Sequence, residues 1–278
     1  MSNKKAQGNY AQQMHITITL WCLEKTAPMN VQGSEATKER AGMIVGHVGA
    51  RKGSKGVPGK NFRNLNGKPL IDWSLDQLIN NTRIDIVVVS TDDERIYDHA
   101  QDRQTLDIGL RPPELCTDSA PKWAVWQHAL YATEAKIGPV SVFVDLDCTS
   151  PMRLDTDIDS ALDQFHASAP DMLMSCCEAR KNPYFNLLEL DENGALHVSK
   201  PLATDVVARQ QAPVVYEHAG VVYVLKPEYL KSAKSLFEGR VLPFVLPAER
   251  CVDIDSEFDF KIAEFLMKER CLEAHSVW

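Results

Sequence analysis

The sequence predicts an α/β protein with a mostly parallel, doubly wound sheet and helices on both faces. Three observations carry that expectation. Apolar, β-branched runs of strand length alternate with stretches of helical periodicity. The first such run, Met43-Ile44-Val45 with Val48, ends in small residues and breaks into a basic, glycine-rich loop. At 278 residues, with 44% apolar and 24% charged residues, the chain suits one large domain or one domain with a small insert.

The loop reads Ala50-Arg51-Lys52-Gly53-Ser54-Lys55-Gly56-Val57-Pro58-Gly59-Lys60-Asn61. Glycines let the backbone turn sharply and approach a ligand closely, and the cations Arg51, Lys52, Lys55 and Lys60 surround them. Such a loop at the carboxyl end of a parallel strand suits a polyphosphate; a solvated basic turn is the competing reading. It is not a P-loop. Gly53 to Gly59 is one residue too long, Pro58 stands where the second glycine belongs, and Asn61 replaces the Ser/Thr that would meet magnesium. A G-x-G-x-x-G dinucleotide fingerprint is absent from it as well.

Residues 1–41 are polar apart from Ile16 to Leu23 and are expected to be a non-catalytic extension, with the domain running from 42 to 278. The apolar run follows Lys4 and Lys5, but its threonines and the lack of a small-x-small cleavage site argue against a signal peptide. Pro69 to Ile79 has helical spacing, and Arg83 to Ser90 is a β-branched strand. Ser90-Thr91-Asp92-Asp93 then offers an N-cap for the helix through Ile96. Arg111-Pro112-Pro113-Glu114-Leu115 and Thr117-Asp118-Ser119-Ala120 lead to Pro121, which opens a helix from Lys122 to Ala135. Val140 to Val144 is a buried strand ending in Asp145-Leu146-Asp147.

Asp171 to Cys177 reads as a strand, and Tyr184–Asp191 with Ala195–Lys200 as a hairpin closed by Asp191-Glu192-Asn193-Gly194. Gly220 to Leu225 returns to the sheet, Pro227 to Phe237 reads as a helix, and Val241 to Leu246 as an edge strand. In Cys251-Val252-Asp253-Ile254-Asp255-Ser256-Glu257-Phe258-Asp259, alternation puts Asp253 and Asp255 on one face. Ser256 and Asp259 cap a last helix, expected to turn Phe258, Ile262, Phe265 and Leu266 inward. Two carboxylates there are either a metal pair or solvated acids favoured by the helix dipole.

Composition narrows the function. A net charge of −8 argues against a general nucleic-acid binder, so the cations of the first loop are local. Seven cysteines without C-x-x-C spacing point to a reducing, cytoplasmic setting and no structural zinc, with Cys176-Cys177 in the core. No run reaches membrane-spanning length.

The motifs Ala50-Arg51-x-Gly53-Ser54-Lys55-Gly56-x-Pro58-x-Lys60-Asn61, Arg111-Pro112-x-Glu114-Leu115-x-x-Asp118 and Val252-Asp253-Ile254-Asp255-Ser256-Glu257 resemble, in collinear order, those of the acylneuraminate cytidylyltransferases, which activate sialic-acid-like sugars. The resemblance covers residue 42 to about 270. It implies a Rossmann-like nucleotidyltransferase fold and a homodimer, with an inserted β-rich dimerisation arm at about residues 178–216. The implied reaction joins CTP and a 2-keto acid sugar into a CMP-sugar, releasing pyrophosphate with Mg²⁺ held by Asp253 and Asp255. Arg51, Lys55 and Lys60 are implied to neutralise the triphosphate. Ala50, Gly53, Ser54, Asn61, Ser90, Asp92 and Arg111 are implied to face the nucleotide.

Lys122, Asp147, Arg209 and Gln210 are the sugar-side residues implied, with Arg209 forking onto the sugar carboxylate. Asp145-Leu146-Asp147, Lys122, Asn182-Pro183-Tyr184-Phe185-Asn186-Leu187 and Arg209-Gln210-x-Ala212-Pro213 look more like the legionaminic acid branch than the sialate branch. Where the family often has Asn-Gly or Asn-Ala, this chain has His218-Ala219-Gly220, so one polar sugar contact is missing or replaced by His218. No residue is an obvious general base; Asp255 is a candidate. Three alternatives stay open: a CMP-N-acetylneuraminate synthetase, a metal-dependent glycosyltransferase using Asp145-Leu146-Asp147 as its D-x-D, and an inactive nucleotide-binding protein.

Overall fold

The computed structural model describes residues 42–53, 55–204 and 206–275. The expected extension and Ser54 lie outside the described residues. Strand β1 (Met43–Ala50) leads, through the short antiparallel pair β2 (Asn64–Leu65) and β3 (Lys68–Pro69), into helix α1 (Leu70–Asn80). Then come β4 (Ile86–Thr91), α2 (Glu94–Gln101), α3 (Lys122–Ile137), β5 (Val140–Asp147), α4 (Asp155–Ser168) and β6 (Met172–Glu178). The hairpin β7 (Leu188–Leu190) and β8 (Leu196–Val198) precedes β9 (Tyr216–Leu225), α5 (Pro227–Ser232), β10 (Val241–Val245) and α6 (Glu257–His275).

The central sheet has the order β10-β6-β9-β5-β1-β4. All neighbouring pairs are parallel except those of β9, which runs antiparallel to both β5 and β6. The exception follows from the insert. The chain leaves the sheet at the carboxyl end of β6 and re-enters from the same edge, so the returning strand must run the other way.

Both faces of the sheet are covered. Ile71, Leu75 and Leu78 of α1, Ile96 and Ala100 of α2, and Ile158, Leu162 and Phe165 of α4 share one core with Ile44, Val48, Val87, Val89, Val142 and Val144. On the opposite face Trp126 of α3 packs edge-on to Tyr223 of β9, and Trp123 edge-on to Tyr229 of α5. Strands buried on two sides explain the unbroken apolar runs of the sequence. The Asp93 side chain caps α2 by accepting the Arg95 N–H, as its sequence predicts.

Two expectations need correction. The helix from Pro227 stops at Ser232 and does not reach Phe237. The Tyr229 hydroxyl donates to the Leu236 carbonyl and accepts from Gly239 N–H, both at 3.0 Å, and so folds the segment after it into a turn. In α6, Phe258 and Phe265 are exposed, while Phe260, Ala263 and Met267 face inward. The Ser256–Asp259 capping box forms as expected, with Ser256 N–H to Asp259 Oδ2 at 2.8 Å. Ile254, fully buried just upstream, sets the phase of the helix and brings Phe260 onto its own cluster. The sequence offers two apolar stripes on this helix, and periodicity alone does not choose between them.

Candidate active site

The register places three strand ends side by side. Gly49 of β1 pairs with Ser90 of β4 on one side and with Asp147 of β5 on the other. The order reverses between β4 and β5 around β1, so the loops after these strands diverge and leave a crevice at their carboxyl ends. The basic loop begins at the end of β1, Asp147 closes β5, and Arg111 N–H donates to the Thr91 carbonyl at the end of β4 at 2.7 Å.

The basic loop folds back onto the last motif, some two hundred residues later in the chain. Val57 is fully buried and shares a cluster with Leu65, Leu70, Met152, Ile254 and Phe260. Lys60 Nζ donates to the Ile254 carbonyl at 2.5 Å and lies 3.4 Å from Asp255 Oδ1. Ile254 N–H in turn donates to the Thr149 carbonyl, just past β5, at 2.9 Å. Gly56 is what allows the approach, because a Cβ there would sit 1.8 Å from the Asp255 carbonyl oxygen. Asn61 is buried, with its amide donating to the Arg51 carbonyl at 3.1 Å and its oxygen accepting from the Cys148 thiol at 3.3 Å. Its visible task is to shape the loop.

A cleft of about 310 Å³ opens beside the loop, lined among others by Gly49, Arg51, Arg111, Asp118, Lys122 and Asp147. Across its mouth Arg51 Nη1 meets Asp118 Oδ1 at 2.5 Å, and the Lys55 ammonium takes the other Asp118 oxygen. Lys55 and Arg51 hold the Asp118 carboxyl below its usual range. These contacts are solvent-exposed and weak, so a polyanion can displace Asp118 from the two cations. Lys52 N–H donates to Asp92 Oδ1 at 2.7 Å, tying the loop to the end of β4. Arg111 is buried, with Nε donating to Ser90 Oγ at 3.0 Å and Nη2 to the Ser90 carbonyl at 2.5 Å. Ser90 therefore acts by holding Arg111.

Deeper in, Lys122 Nζ lies 2.5 Å from Asp147 Oδ1 and 3.1 Å from Asp145 Oδ2. His47, fully buried, brings Nδ1 to 2.5 Å from Asp145 Oδ1; beside a carboxylate this nitrogen carries the proton. Burial opposes charge on Lys122, but Asp145 and Asp147 outweigh it and raise its pKa. Burial likewise opposes charge on Asp145, and Lys122 and His47 outweigh it and depress the carboxyl. The D-x-D pair is thus neutralised by an ammonium, which argues against its use as the metal pair of a glycosyltransferase.

Gly220 of β9 leaves room for Asp147: a Cβ there would lie 2.2 Å from Asp147 Oδ2. Beneath it, Arg153 is buried and donates to the Val221 and Asp147 carbonyls, Ser74 Oγ and Gln77 Oε1 at 2.7–3.1 Å. Burial pushes its pKa down to about 10, which still leaves it charged at neutral pH. Arg153→Ala strands these acceptors and is expected to cost about 3–5 kcal/mol in urea unfolding. A loss under 1 kcal/mol would show that the network is not holding β5 to α1.

Asp253 and Asp255 are exposed on one side of their segment, with Ile254 buried on the other, as alternation predicts. Surrounding protein raises the Asp253 carboxyl, and the nearby Asp255 and Asp147 charges add to the rise. No cluster of three or more His, Cys, Asp or Glu side chains fit to hold a metal occurs among the described residues. Two carboxylates completed by phosphate oxygens match the donors Mg²⁺ prefers, so this pair fits Mg²⁺ only together with a phosphate ligand.

Of the sequence-predicted residues, Arg51, Arg111, Lys122 and Asp147 line the cleft, Lys60 and Asn61 line a neighbouring hollow with Arg51 and Asp147, Lys55 reaches the cleft mouth through Asp118, and Asp255 lies against Lys60. Arg209 and Gln210 are not among the residues lining the cleft. They sit in a short 3₁₀ turn of the insert, where Arg209 Nη2 donates to the Arg180 carbonyl at 2.6 Å. Sequence reasoning quoted Gly56 and Asp118 within motifs without foreseeing their partners, and gave no role to Gly220, Arg153 or His47; of these three His47 carried a visible signal, as a polar residue inside an apolar strand.

Comparison with known proteins places the chain. A family model described as "Cytidylyltransferase" matches residues 45–258. The chain is 34% identical over 226 residues to the post-translational flagellin modification protein B of Campylobacter coli, covering 81% of this chain and 95% of that protein. It is 35% identical over 219 residues to the CMP-N,N'-diacetyllegionaminic acid synthase of Campylobacter jejuni, covering 78% of this chain and 92% of that one. Among solved structures, CMP:2-keto-3-deoxy-manno-octonic acid synthetase complexed with CTP superposes with a TM-score of 0.59 at 16% identity, over 82% of this chain and 99% of that one. This last likeness concerns the fold.

Proposed function

The chain belongs to the cytidylyltransferase family, and from that premise we propose that it transfers CMP from CTP to the anomeric hydroxyl of a sialic-acid-like nonulosonate, of the legionaminic acid type, releasing pyrophosphate. The observation that carries this reading is the convergence of Arg51, Lys55 and Lys60 with Asp253 and Asp255 at one end of the sheet, joined through Lys60 and the Gly56–Asp255 approach.

The triphosphate displaces Asp118 from Arg51 and Lys55. These cations and Lys60 then face the phosphates and stabilise charge on the departing pyrophosphate. Asp253 and Asp255 are the residues that would hold Mg²⁺, which would supply further charge neutralisation to the triphosphate. Arg111, fixed by Ser90, and the backbone of the loop orient the nucleotide. The sugar oxygen forms its bond to the α-phosphorus as the bond to the β-phosphate bridge breaks, and its hydroxyl proton leaves to an acceptor such as Asp255. Positioning and electrostatics carry such a reaction without a covalent enzyme intermediate. Lys122 and Asp147 meet the sugar.

The insert completes the proposal. Leu188, Leu190, Leu196, Val207, Val214 and Tyr216 are all more than half exposed in the single chain. An apolar surface of this extent on one arm suits burial against a second copy of the chain, which would bring Arg209 toward a neighbouring cleft. Free cysteines and the lack of a membrane-spanning helix among the described residues are consistent with a cytoplasmic enzyme.

The test is pyrophosphate release with CTP and Mg²⁺ against diacetyllegionaminic acid, N-acetylneuraminic acid, pseudaminic acid and Kdo in parallel. Highest kcat/KM with diacetyllegionaminic acid is expected. Preference for N-acetylneuraminic acid would keep the reaction class and overturn the branch.

A further inference from the structure

In the reaction proposed above, Asp118 is only displaced. Its geometry gives it more to do. Arg51 Nη1 donates to Asp118 Oδ1 at 2.5 Å, and the Lys55 ammonium pairs with Oδ2. One carboxylate thus bridges two cations with its two oxygens, as two oxygens of a phosphate group do. Among the described residues, Arg51 and Lys55 make no ion pair with any other acid.

The segment that carries Asp118 is braced. Arg111 N–H holds the end of β4 through the Thr91 carbonyl, and Cys116 N–H donates to the Pro113 carbonyl at 3.0 Å. Ala120 N–H closes a turn onto the Thr117 carbonyl at 3.2 Å, and α3 follows at Lys122. Asp118 lies at the tip of that turn, so a fixed backbone presents its side chain to the loop.

The contact itself is loose. The Asp118 side chain is half exposed and that of Lys55 is 81% exposed. Exposed ion pairs are weak, so the site exchanges between a closed state, with Asp118 on the cations, and an open one. Only the open state offers these cations to a polyphosphate. The apparent affinity is then the intrinsic affinity multiplied by the open fraction. That factor is the same for every polyphosphate, but its weight in the reaction is not. CTP is also held by its nucleoside, whereas pyrophosphate depends on the phosphate site alone.

Resting on the reaction proposed above, we infer that Asp118 is a built-in competitor for the phosphate site, an autoinhibitory contact that closes on Arg51 and Lys55 and so weakens retention of the pyrophosphate product.

The experiment measures the dissociation constants of CTP and of pyrophosphate by calorimetry, without acceptor sugar. It compares the wild type with Asp118→Asn, Asp118→Glu and Glu114→Gln. Asp118→Asn keeps the size of the side chain and removes its charge; both constants are expected to fall about fivefold, by the same factor. Asp118→Glu keeps the carboxylate and is expected to stay within about twofold of the wild type. Glu114 is exposed in the same segment and makes no ion pair among the described residues. Glu114→Gln therefore makes the same change in net charge outside the contact, and is expected to shift either constant by less than about twofold.

Constants that stay put or rise in Asp118→Asn overturn the assignment, a rise meaning that Asp118 arranges the cations for the phosphates. A fall for CTP without one for pyrophosphate overturns it as well, and so does an equal fall in Glu114→Gln, which reduces the effect to net charge. None of these readings needs turnover. A wild type that binds both ligands yet turns over no nonulosonate overturns the reaction and leaves the competition standing. A folded wild type that binds neither overturns both.

Discussion

Asp255→Ala is expected to lower kcat/KM for pyrophosphate release about 1000-fold, close to 4 kcal/mol of transition-state stabilisation. Its melting temperature should stay near that of the wild type. The contrast follows from where Asp255 sits. Its side chain is 80% exposed, and among the described residues its one ion-pair contact, to Lys60, is long at 3.4 Å. Removing it opens no cavity and strands no buried partner, because Lys60 keeps the Ile254 carbonyl at 2.5 Å. What would be lost is one of the two carboxylates proposed to hold Mg²⁺ beside the phosphates. Raising Mg²⁺ should restore part of the activity if Asp253 still binds the ion. A variant with less than a tenfold loss would remove Asp255 from the metal site.

Gly56→Ala should produce a loss of similar kind without touching a charged group. Its added Cβ would stand 1.8 Å from the Asp255 carbonyl oxygen, which is backbone and cannot swing aside. Loop and D-I-D segment must then separate by more than 1 Å, carrying Lys55 and Lys60 away from Asp253 and Asp255. A displacement of that size at reacting groups costs about 100-fold in rate. The CTP KM and kcat should both suffer, since the proposed phosphate binding and charge stabilisation share these residues. Because Val57, the next residue, is buried with Ile254 and Phe260, some loss of stability is expected as well. Hydrogen exchange over residues 52–61 and 252–257 would separate the two effects. Wild-type activity in Gly56→Ala would mean that loop and metal pair work independently.

Much of the fold was legible because two-sided burial writes itself into the sequence as unbroken apolar runs. The runs at Met43–Val48, Ile86–Val89 and Val140–Val144 are the three strands that build the crevice. Asp253 and Asp255 were legible through alternation around Ile254. Less legible were features set by distant neighbours. Which face of α6 turns inward depends on Ile254 and the Val57 cluster, so Phe258 and Phe265 were misassigned. The end of α5 depends on hydrogen bonds made by the Tyr229 hydroxyl. Gly56 was read as making room for a ligand, whereas the group it admits is the Asp255 carbonyl, and Gly220 carried no sign that Asp147 rests against it. Lys122 and Asp147 were named separately as sugar contacts; that they are partners in one ion-paired network with Asp145 and His47 follows only from the strand register. Asn61 and Ser90 were read as ligand contacts; that their side chains also bond the Arg51 carbonyl and the Arg111 guanidinium follows only from the fold.

The central claim, that this crevice joins CMP to a nonulosonate, is tested most directly by ³¹P NMR of the folded protein with CTP, Mg²⁺ and diacetyllegionaminic acid. The expected result is a phosphodiester signal of a CMP-sugar growing one-for-one with pyrophosphate. CTP left intact with every nonulosonate offered, or hydrolysed without a phosphodiester product, would contradict it.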